Sequence, residues 1–537
     1  SNFMGAQNVL DWDSIILNVL LYGRECESGK QRNFYVRLRG CKDAQETLGR
    51  HLTDIFGVSY NDDSKEKVTH IVKVFKYNVI VQNLTPVAAD NYKQTRITDS
   101  VALQHMNRIL ELALSKEKTT EALTELFDEL GSEVRDADII RWYGTDANYY
   151  YLPEALCVPI IKTLLEEKIE TEPAEVNKRI EDLMLNHCDN SMMAAVMDYA
   201  VIVARLYEKA LTLGSLTLNT ADEYVMKYES DYCFIDQYYR QANETYFGID
   251  STCKLFDAVQ KVKRCLDQNY SKLCNRINLE WTRCLKETGG MDEVHLLRQF
   301  NFYDEIIKPM QKKVAVIVSD ALRYEVAQEL VGELAKSKHI ASLKPAIAML
   351  PSETKYCKPS LLPHRELKLY GKGEVQDMAV DDHILDTTQK RSEHLQVYRD
   401  GAVCVPFETV AEYNQEKNRE IFKHPLVYIF HDVIDKTGHD GNAKQIVNSC
   451  RDAILELKNM IPKIHASYNV TEIYITSDHG FLFNDIMFAD KDKHKIEEEY
   501  LERSTRYYLT KSKDKVSGVV KFPLSEVSGM VNVGDVI

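Results

Sequence analysis

The sequence lacks the features that mark several large classes of protein. Its longest nearly apolar stretch, Met192 to Ala204, contains Asp198 and is shorter than the roughly 18–20 residues that span a bilayer, so no membrane-crossing helix is expected. None of the 12 cysteines forms a CxxC pair, which argues against a zinc knuckle and a disulfide framework. The opening SNFMGAQNVLDWD has no basic segment followed by an apolar run, so we expect no secretion signal. Reduced thiols in a cytoplasmic protein are the resulting expectation.

Basic residues are also in short supply. Lys and Arg total 67 against 82 Asp and Glu, which gives a formal net charge of −15. This surplus repels a phosphate backbone at long range, so a nucleic-acid partner would require local basic patches. The 537 residues are 44% hydrophobic and 28% charged, a composition typical of globular proteins, and their number suggests about three domains.

The first 300 residues show the periodicity of amphipathic helices. Apolar residues recur at three- and four-residue steps over Ala102 to Ser115 and over Glu121 to Val134. The clearest case is Phe256 to Leu285, where eight apolar side chains fall on one stripe of a helix that Gly289 and Gly290 end. A largely helical N-terminal region is therefore predicted.

Two aromatic clusters, Tyr149 to Tyr151 and the segment Asp231 to Gly248, have two interpretations. They could be platforms on which nucleic-acid bases stack, or they could pack between helices. Because basic residues are sparse around both, packing is the favoured interpretation.

After Gly290 the pattern changes to short apolar strands that alternate with helices. Strands are predicted at Val314 to Val318, Val427 to Phe430 and Ile473 to Ile475. A helix bearing Leu322 and Leu334 follows the first, and a helix from Ala443 to Met460 follows the second. This alternation indicates an α/β fold with a mostly parallel sheet covered on both faces.

These patterns divide the chain into three predicted parts. Residues 1–225 form a helical region, residues 226–300 a helical connector with the long amphipathic helix, and residues 301–537 the α/β domain.

Acidic and histidine side chains follow each predicted strand, and ligands of open parallel sheets bind beyond the carboxyl ends of the strands. Like charges gathered there repel unless cations hold them together, and mixed Asp and His ligands suit zinc or manganese. The sequence therefore predicts a site for one or two divalent ions, although Asp320 alone is equally well explained as a helix N-cap. The side chains concerned are Asp320 after the first strand; His431, Asp432, Asp435 and His439 after the second; and Asp478 and His479 after the third.

Ser352 and Thr354 lie between the first and second strands, in MLPSETKYCKPSLLPH (Met349 to His364), just after Pro351. A hydroxyl at a helix N-terminus beside metal ions is placed to lose its proton and attack phosphorus. The alternative is that Ser352 only caps a turn.

Four strings resemble a known family: VIVSDALRYEVAQEL, LPSETKYCKPSLLPH, VYIFHDVIDKTGH and YITSDHGFLF. They are similar to the PglZ proteins of bacterial BREX phage-defence systems, whose PglZ domain belongs to the alkaline phosphatase superfamily. The resemblance covers about residues 301 to 485. It implies an alkaline phosphatase-like α/β/α core and a metal-dependent phosphatase or phosphodiesterase. Its substrate would be a phosphate ester, nucleotide or nucleic acid, and its partners other BREX defence proteins.

The resemblance also implies roles for individual residues. Two-metal sites of this kind hold their ions a few Å apart. The implied ligands of one ion, zinc or alternatively manganese, are Asp320, Thr354, Asp478 and His479, and those of the other include Asp435 and His439 of DKTGH.

Thr354 is the implied nucleophile, since related phosphodiesterases use the last residue of a P[ST]xT string. Its alkoxide would attack a phosphoryl group, and the phospho-enzyme would then be hydrolysed. Arg323 and Lys355 are candidates for contacting phosphate oxygens, unless they face solvent.

The sequence departs from the family pattern at one ligand. The superfamily binds the second ion with a late His as well, and after His479 this chain has only His494, inside the polar ADKDKHKIEEE. Either the chain is truncated, which we expect, or the ligand has been lost. His431 is another imidazole for this role, and it could equally be structural.

Two other functions stay open at this point. The chain could be a catalytically weak scaffold whose helices bind other defence proteins, a reading that the incomplete second metal site favours. It could also be the phosphodiesterase output domain of a signalling regulator, which would require a receiver domain that the helical region does not indicate.

Overall fold

The computed structural model describes residues 11–23, 40–59, 65–82, 96–129, 154–187, 191–337, 340–372, 375–438, 442–483, 499–504, 506–512, 519–531 and 534–536. The chain forms two compact units. The first consists of Ser1–Ala204 with Ile249–Val262, and the second of Arg205–Gly248 with Lys263–Ile537. The predicted tyrosine cluster at 149–151, His439 and His494 lie outside the described residues.

Helices make up the described part of the first unit, as the apolar periodicity predicts. Asp99 accepts hydrogen bonds from the backbone N–H groups of Val101 and Ala102, which sets the start of the helix predicted from Ala102. The helices, in chain order, are α1 (Trp12–Tyr22), α2 (Lys42–Phe56), α3 (Lys65–Val81), α4 (Ser100–Leu114), α5 (Glu117–Glu129), α6 (Glu154–Thr163), α7 (Pro173–His187) and α8 (Ser191–Leu211), of which α8 continues into the second unit.

Three further helices lead into the α/β part of the second unit: α9 (Ala221–Lys227), α10 (Cys233–Gly248) and α11 (Phe256–Thr288). A π-helical turn, Tyr228–Tyr232, joins α9 to α10. The Tyr239 ring is buried and stacks on Tyr270 at a centroid distance of 3.7 Å. Such a ring is covered by protein, so for this cluster the packing interpretation holds and a base-stacking platform does not.

The strands of the second unit are, in chain order, β1 (Val314–Ser319), β2 (Leu367–Lys372), β3 (Val375–Val380), β4 (His383–Ile384), β5 (Val403–Pro406), β6 (Leu426–His431), β7 (Glu472–Thr476), β8 (Glu502–Arg503), β9 (Tyr508–Thr510), β10 (Phe522–Pro523) and β11 (Asp535–Val536). The helices among them are α12 (Tyr324–Lys336), α13 (Thr354–Ser360), α14 (Thr388–Tyr398), α15 (Phe407–Glu412), α16 (Gln415–Ile421), α17 (Val433–Gly438), α18 (Ala443–Tyr468) and α19 (Leu524–Ser528).

The main sheet has the strand order β5-β6-β1-β7, and every pairing in it is parallel. In register, Val314 of β1 lies opposite Leu426 of β6 and Glu472 of β7. The α/β fold and its three predicted strands are confirmed. The edge strand β5 was not predicted, because its four residues carry too short an apolar run.

Alternate residues of the strands face two hydrophobic cores. Val316 and Tyr428 belong to a core with Tyr356 of α13, whereas Ile317 and Ile429 belong to a core with α12 and α18. Both faces of the sheet are therefore covered, which explains why all six residues of β1 are buried.

Two small antiparallel sheets complete the unit. One has the order β2-β3-β4 and the other β10-β11-β9-β8. Leu367 of the first and Leu509 of the second pack in the core that includes Tyr356, so both sheets lie on the α13 side.

Three sequence expectations can be checked on this fold. Helix α18 runs beyond its predicted end at Met460, because buried Ile464 continues its apolar stripe past Pro462. No helix in the described ranges is long and apolar enough to span a bilayer. The ten cysteines in those ranges are free thiols.

Candidate active site

The carboxyl ends of β1 and β7 bring three candidate ligands together. Asp320 directly follows β1, and Asp478 and His479 lie two and three residues beyond β7. The exposed fractions of Asp320, Asp478 and His479 are 2%, 0% and 7%. Ala321 has a φ of 62°, so the chain turns sharply at the end of β1 and Asp320 is fixed at the edge of the sheet.

The ligand atoms of these three side chains lie within 4.8 Å of one another, a spacing that a metal ion could bridge. His479 Nε2 lies 3.2 Å from Asp320 Oδ1 and 4.0 Å from Asp478 Oδ2. Asp478 Oδ1 accepts hydrogen bonds from the backbone N–H groups of His479, at 2.9 Å, and Ala321, at 3.3 Å. Asp320 Oδ1 and Asp478 Oδ2 are buried and accept no regular hydrogen bond.

Thr354 belongs to the same group. It is the first residue of α13, and its Oγ1 lies 2.8 Å from His479 Nε2. The hydroxyl therefore sits at a helix N-terminus, where the helix dipole favours negative charge. Ser352 lies two residues before the helix.

The electrostatics of the group depend on burial and close contact. Burial and the charge of Asp320 raise the pKa of Asp478 to about 7. Burial alone would raise the pKa of Asp320, but the His479 ring and the Lys358 ammonium lower it to about 2. Burial alone would lower the pKa of His479, but Asp320 and Asp478 raise it to about 9. Two carboxylates this close require positive charge beside them.

The His479 ring is oriented by its other nitrogen. Nδ1 lies 2.9 Å from the backbone oxygen of Gly480. In the neutral ring that would bind a metal ion, the Nδ1 proton is donated to this carbonyl and the Nε2 lone pair is directed at Asp320, Asp478 and Thr354.

The residues thus fit a divalent cation. Two buried carboxylate oxygens lack hydrogen-bond donors, and an imidazole nitrogen lies beside them. Buried polar atoms are normally satisfied, so this pair indicates a missing partner. The mixed Asp and His donor set suits zinc or manganese.

Of the two implied ligands of a second ion, Asp435 and His439, only Asp435 lies in the described part of the chain. Asp435 lies in α17, and its Oδ1 is 3.9 Å from His479 Nε2, so it borders the group. His439 and His494 lie outside the described residues. The second ion and its ligands stay a prediction.

Arg323 and Lys355, the candidates for contacting phosphate, each form an ion pair with a carboxylate of the protein. Arg323 Nη2 donates to Asp236 Oδ2 of α10 at 2.8 Å. Lys355 forms an ion pair with Glu502 of β8 and donates to the backbone oxygen of Gln376 at 3.0 Å. Both charges have protein partners, and the side chains of Arg323 and Lys355 are 14% and 29% exposed. Their contact with phosphate stays a prediction.

His431 is a structural residue in this fold. Its Nδ1 lies 2.8 Å from Ser319 Oγ, and its Nε2 lies 3.3 Å from Glu456 Oε2. The ring is buried beside Phe407, and burial lowers its pKa to about 4.

Sequence reasoning missed two residues of the site. The Lys358 ammonium forms an ion pair with Asp320 Oδ2. Lys358 comes four residues after Thr354 in the sequence, a spacing that puts the two residues on one face of a helix. Buried Gln299 accepts a hydrogen bond from the Met349 N–H at 3.0 Å and donates to the backbone oxygens of Ser477, at 3.0 Å, and Asp478. No local pattern marks Gln299, since its partners are distant in sequence.

Comparison with known proteins agrees with the resemblance that the four sequence strings indicate. Residues 302–536 match the family model of the BREX system PglZ alkaline phosphatase-like domain. The chain is also 24% identical over 340 residues to the alkaline phosphatase-like protein PglZ of Bacillus cereus (strain H3081.97), a match covering 60% of this chain and 38% of that protein. It is 29% identical over 270 residues to the alkaline phosphatase-like protein BrxZ of Escherichia coli O9:H4 (strain HS), covering 48% and 31%.

The chain spans about a third of the length of these curated relatives. Residues 302–536 match the PglZ domain of BREX systems, and the chain is similar to the PglZ proteins of those systems. The resemblance stated from the four sequence strings is confirmed.

Proposed function

We propose that this PglZ-domain chain is a metal-dependent phosphoric ester hydrolase, a phosphatase or phosphodiesterase, of a BREX anti-phage defence system, with Thr354 as nucleophile. The observation that carries the proposal is the 2.8 Å distance from Thr354 Oγ1 to His479 Nε2. It puts a hydroxyl beside a buried group of metal-ligand type. The alkaline phosphatase-like description of the matched domain supports the reaction class.

Asp320, Asp478 and His479 would hold a divalent ion, zinc or manganese, next to Thr354. The bound ion supplies stabilisation of negative charge on a phosphoryl group and lowers the pKa of a nearby hydroxyl. A second ion at Asp435 and His439 is part of the proposal, as the family resemblance implies.

Thr354, the N-terminus of α13 and Asp478 then have separate roles in the reaction. Thr354 loses its proton and attacks phosphorus; the new Thr354–phosphorus bond forms as the ester oxygen leaves, and water later hydrolyses the phosphothreonine. The N-terminus of α13 stabilises the negative charge that develops at the Thr354 oxygen. Asp478 Oδ1 is fixed by two backbone N–H groups, so its Oδ2 keeps one direction during the reaction.

The partners and the substrate are proposed from the family. A phosphate ester, nucleotide or nucleic acid would be the substrate, and other BREX proteins would be the partners. We propose Arg323 and Lys355 as phosphate contacts only if substrate displaces the ion pairs that each now forms.

Hydrolysis of p-nitrophenyl phosphate and bis-p-nitrophenyl phosphate, with zinc or manganese added, tests the proposal. Thr354→Ala should abolish the activity without unfolding the protein, whereas Ser352→Ala should retain it. These two variants separate the nucleophile from the neighbouring hydroxyl of the same string. Activity that survives in Thr354→Ala would refute the mechanism.

A scaffold function is the second candidate, because His494, inside a polar segment, is the only histidine after His479 that could complete the second metal site. It predicts that the wild type and Thr354→Ala are equally inactive towards both esters while folded and bound to an ion. A BREX partner protein captured equally by both would support it.

A further inference from the structure

Lys358 is a buried cation at the edge of the candidate metal site. It lies on α13, four residues after Thr354, and only 9% of its surface is exposed. Its ammonium forms an ion pair with Asp320 Oδ2. A lysine is seldom buried unless a carboxylate neutralises it, so the position of Lys358 depends on Asp320.

The two oxygens of Asp320 face different groups. Oδ2 receives the Lys358 ammonium. Oδ1 points the other way, 3.2 Å from His479 Nε2, and is one of the two buried carboxylate oxygens without a regular hydrogen bond. An ion that binds Oδ1 therefore leaves the contact between Lys358 and Oδ2 in place.

The charges of the site favour this sharing. Asp320 and Asp478 bring two carboxyl groups into a buried space. Lys358 brings a positive charge, and so does the His479 ring while it is protonated. Buried like charges destabilise the fold unless cations balance them. Lys358 balances one of the two carboxylates whether or not an ion is bound.

We propose that Lys358 is an internal counter-cation that shares Asp320 with a divalent metal ion and sets the affinity of the site for that ion. It stabilises the carboxylates in the ion-free protein, and it lowers the affinity for the ion because its charge repels a second cation. Lys358 is thus a positioning residue, which acts on the ion through Asp320. The inference rests on the metal site of the proposed function.

Replacing Lys358 should change ion binding in a definite direction. Lys358→Met removes the charge and keeps the length of the side chain, so Mn²⁺ and Zn²⁺ should bind more tightly. The expected gain is roughly 10- to 100-fold in Kd, the size of effect that groups around metal ligands have on metal affinity. Lys358→Gln removes the charge but keeps a hydrogen-bond donor for Asp320, and should give the same direction of change.

The experiment is calorimetric titration of the purified chain with Mn²⁺ alone and with Zn²⁺ alone, together with thermal unfolding. Without ion, both Lys358 variants should unfold at lower temperature than the wild type, because Asp320 loses the positive charge that is paired with its Oδ2. With ion, their melting temperature should rise by more than that of the wild type. Lys358→Met could fail to fold without ion. In that case its melting temperature is measured in saturating Mn²⁺, and the Kd of the ions is compared between the wild type and Lys358→Gln.

Lys458→Met is the matched control. Lys458 of α18 also forms a lysine–carboxylate pair, with Nζ 2.7 Å from Glu333 Oε2, but away from the site. It should leave the Kd for both ions unchanged. Equal ion affinity in wild type, Lys358→Met and Lys358→Gln would overturn the proposal, as would weaker binding in either Lys358 variant.

Binding and hydrolysis separate this inference from the proposed function. The chain could bind ions, with tighter binding in the Lys358 variants, and yet hydrolyse neither nitrophenyl ester. That result would refute the proposed hydrolase activity and support the role of Lys358 as counter-cation. If the chain hydrolyses the esters but its Kd for the ions is the same with and without Lys358, only the counter-cation proposal is refuted.

Discussion

Arg323 and Asp236 form an ion pair across 87 residues of sequence, with Arg323 Nη2 2.8 Å from Asp236 Oδ2. Asp236 also accepts hydrogen bonds from the hydroxyls of Tyr228 and Tyr270, each at 2.8 Å. The Arg323 guanidinium lies over the Phe481 ring, 5.1 Å from its centroid. The pair therefore connects α10 to the loops after β1 and β7, which carry the candidate ligands.

Asp236→Asn should destabilise the protein by about 3 kcal/mol, because the largely buried Arg323 then keeps only the longer contact of its Nε with Glu325, at 3.8 Å, as a counter-charge. Tyr228→Phe removes one hydrogen bond to the same carboxylate and keeps the charge, so its loss should be about 1 kcal/mol. Urea unfolding followed by circular dichroism measures both. Equal losses in the two variants would contradict a dominant role of the ion pair.

Gln299→Met should lower both the stability of the protein and its kcat. The variant removes the hydrogen bonds that join the Met349 N–H to the carbonyls of Ser477 and Asp478, and a buried unsatisfied group costs about 2 kcal/mol. Because the segment before Thr354 and the loop after β7 lose this connection, kcat for ester hydrolysis should fall roughly 100-fold, as for a misplaced reacting group.

Gln311→Met is the control for that variant. Gln311 is exposed, and its amide makes one long contact of 3.4 Å to the backbone oxygen of Pro309. Its substitution should change stability by no more than about 0.5 kcal/mol and leave kcat unchanged. A similar fall in kcat for both glutamine variants would contradict the role assigned to Gln299.

Lys355 and Glu502 should act as a pair in folding. A double-mutant cycle with Lys355→Met and Glu502→Gln should give a coupling free energy of about 1 kcal/mol, since the two side chains are in direct contact and mostly buried. The alternative, that Lys355 contacts the phosphate of the substrate, predicts a raised KM in Lys355→Met alone. Unfolding free energies and steady-state kinetics on the same proteins decide between them.

His431 should make stability depend on pH. Burial lowers its pKa to about 4, below the ~6.5 of an unfolded chain. Between these values the unfolded chain binds a proton that the folded chain does not, so stability falls as pH falls from about 6.5 to about 4, by about 3 kcal/mol in total.

The His431→Gln variant isolates this contribution. Other titrating groups, including Asp432 and Glu456 beside the ring, are present in both proteins. The free energy of unfolding of the variant should therefore vary less with pH over this window than that of the wild type. Parallel curves for the two proteins would show that His431 does not titrate as described.

The main sheet was predictable because its signal is local. β1, β6 and β7 each contain a short apolar run, and an acidic residue follows within two positions of the end of each strand. The grouping of Asp320 with Asp478 and His479 then follows from the parallel arrangement alone, since the carboxyl ends of parallel strands share one edge. The short strands β5 and β8 to β11 carry too few residues for such a signal.

The supports of the site were not predictable in the same way. The contact of Lys358 with Asp320 spans 38 residues and that of Gln299 with Asp478 spans 179. A buried lysine or glutamine looks like any surface residue until the fold supplies its partner. For the same reason the sequence did not reveal the carboxylate partners of Arg323 and Lys355, which lie in distant segments.

The position of Gln299 bears on how a minimal fragment should be cut. The family match begins at residue 302, so a fragment that starts there would leave out Gln299, and with it the hydrogen bonds to Met349 and Asp478. It would also leave out Asp236, the partner of Arg323. A boundary drawn from sequence similarity would thus separate the candidate site from two of its own supports, and a fragment intended for assays should begin before α9.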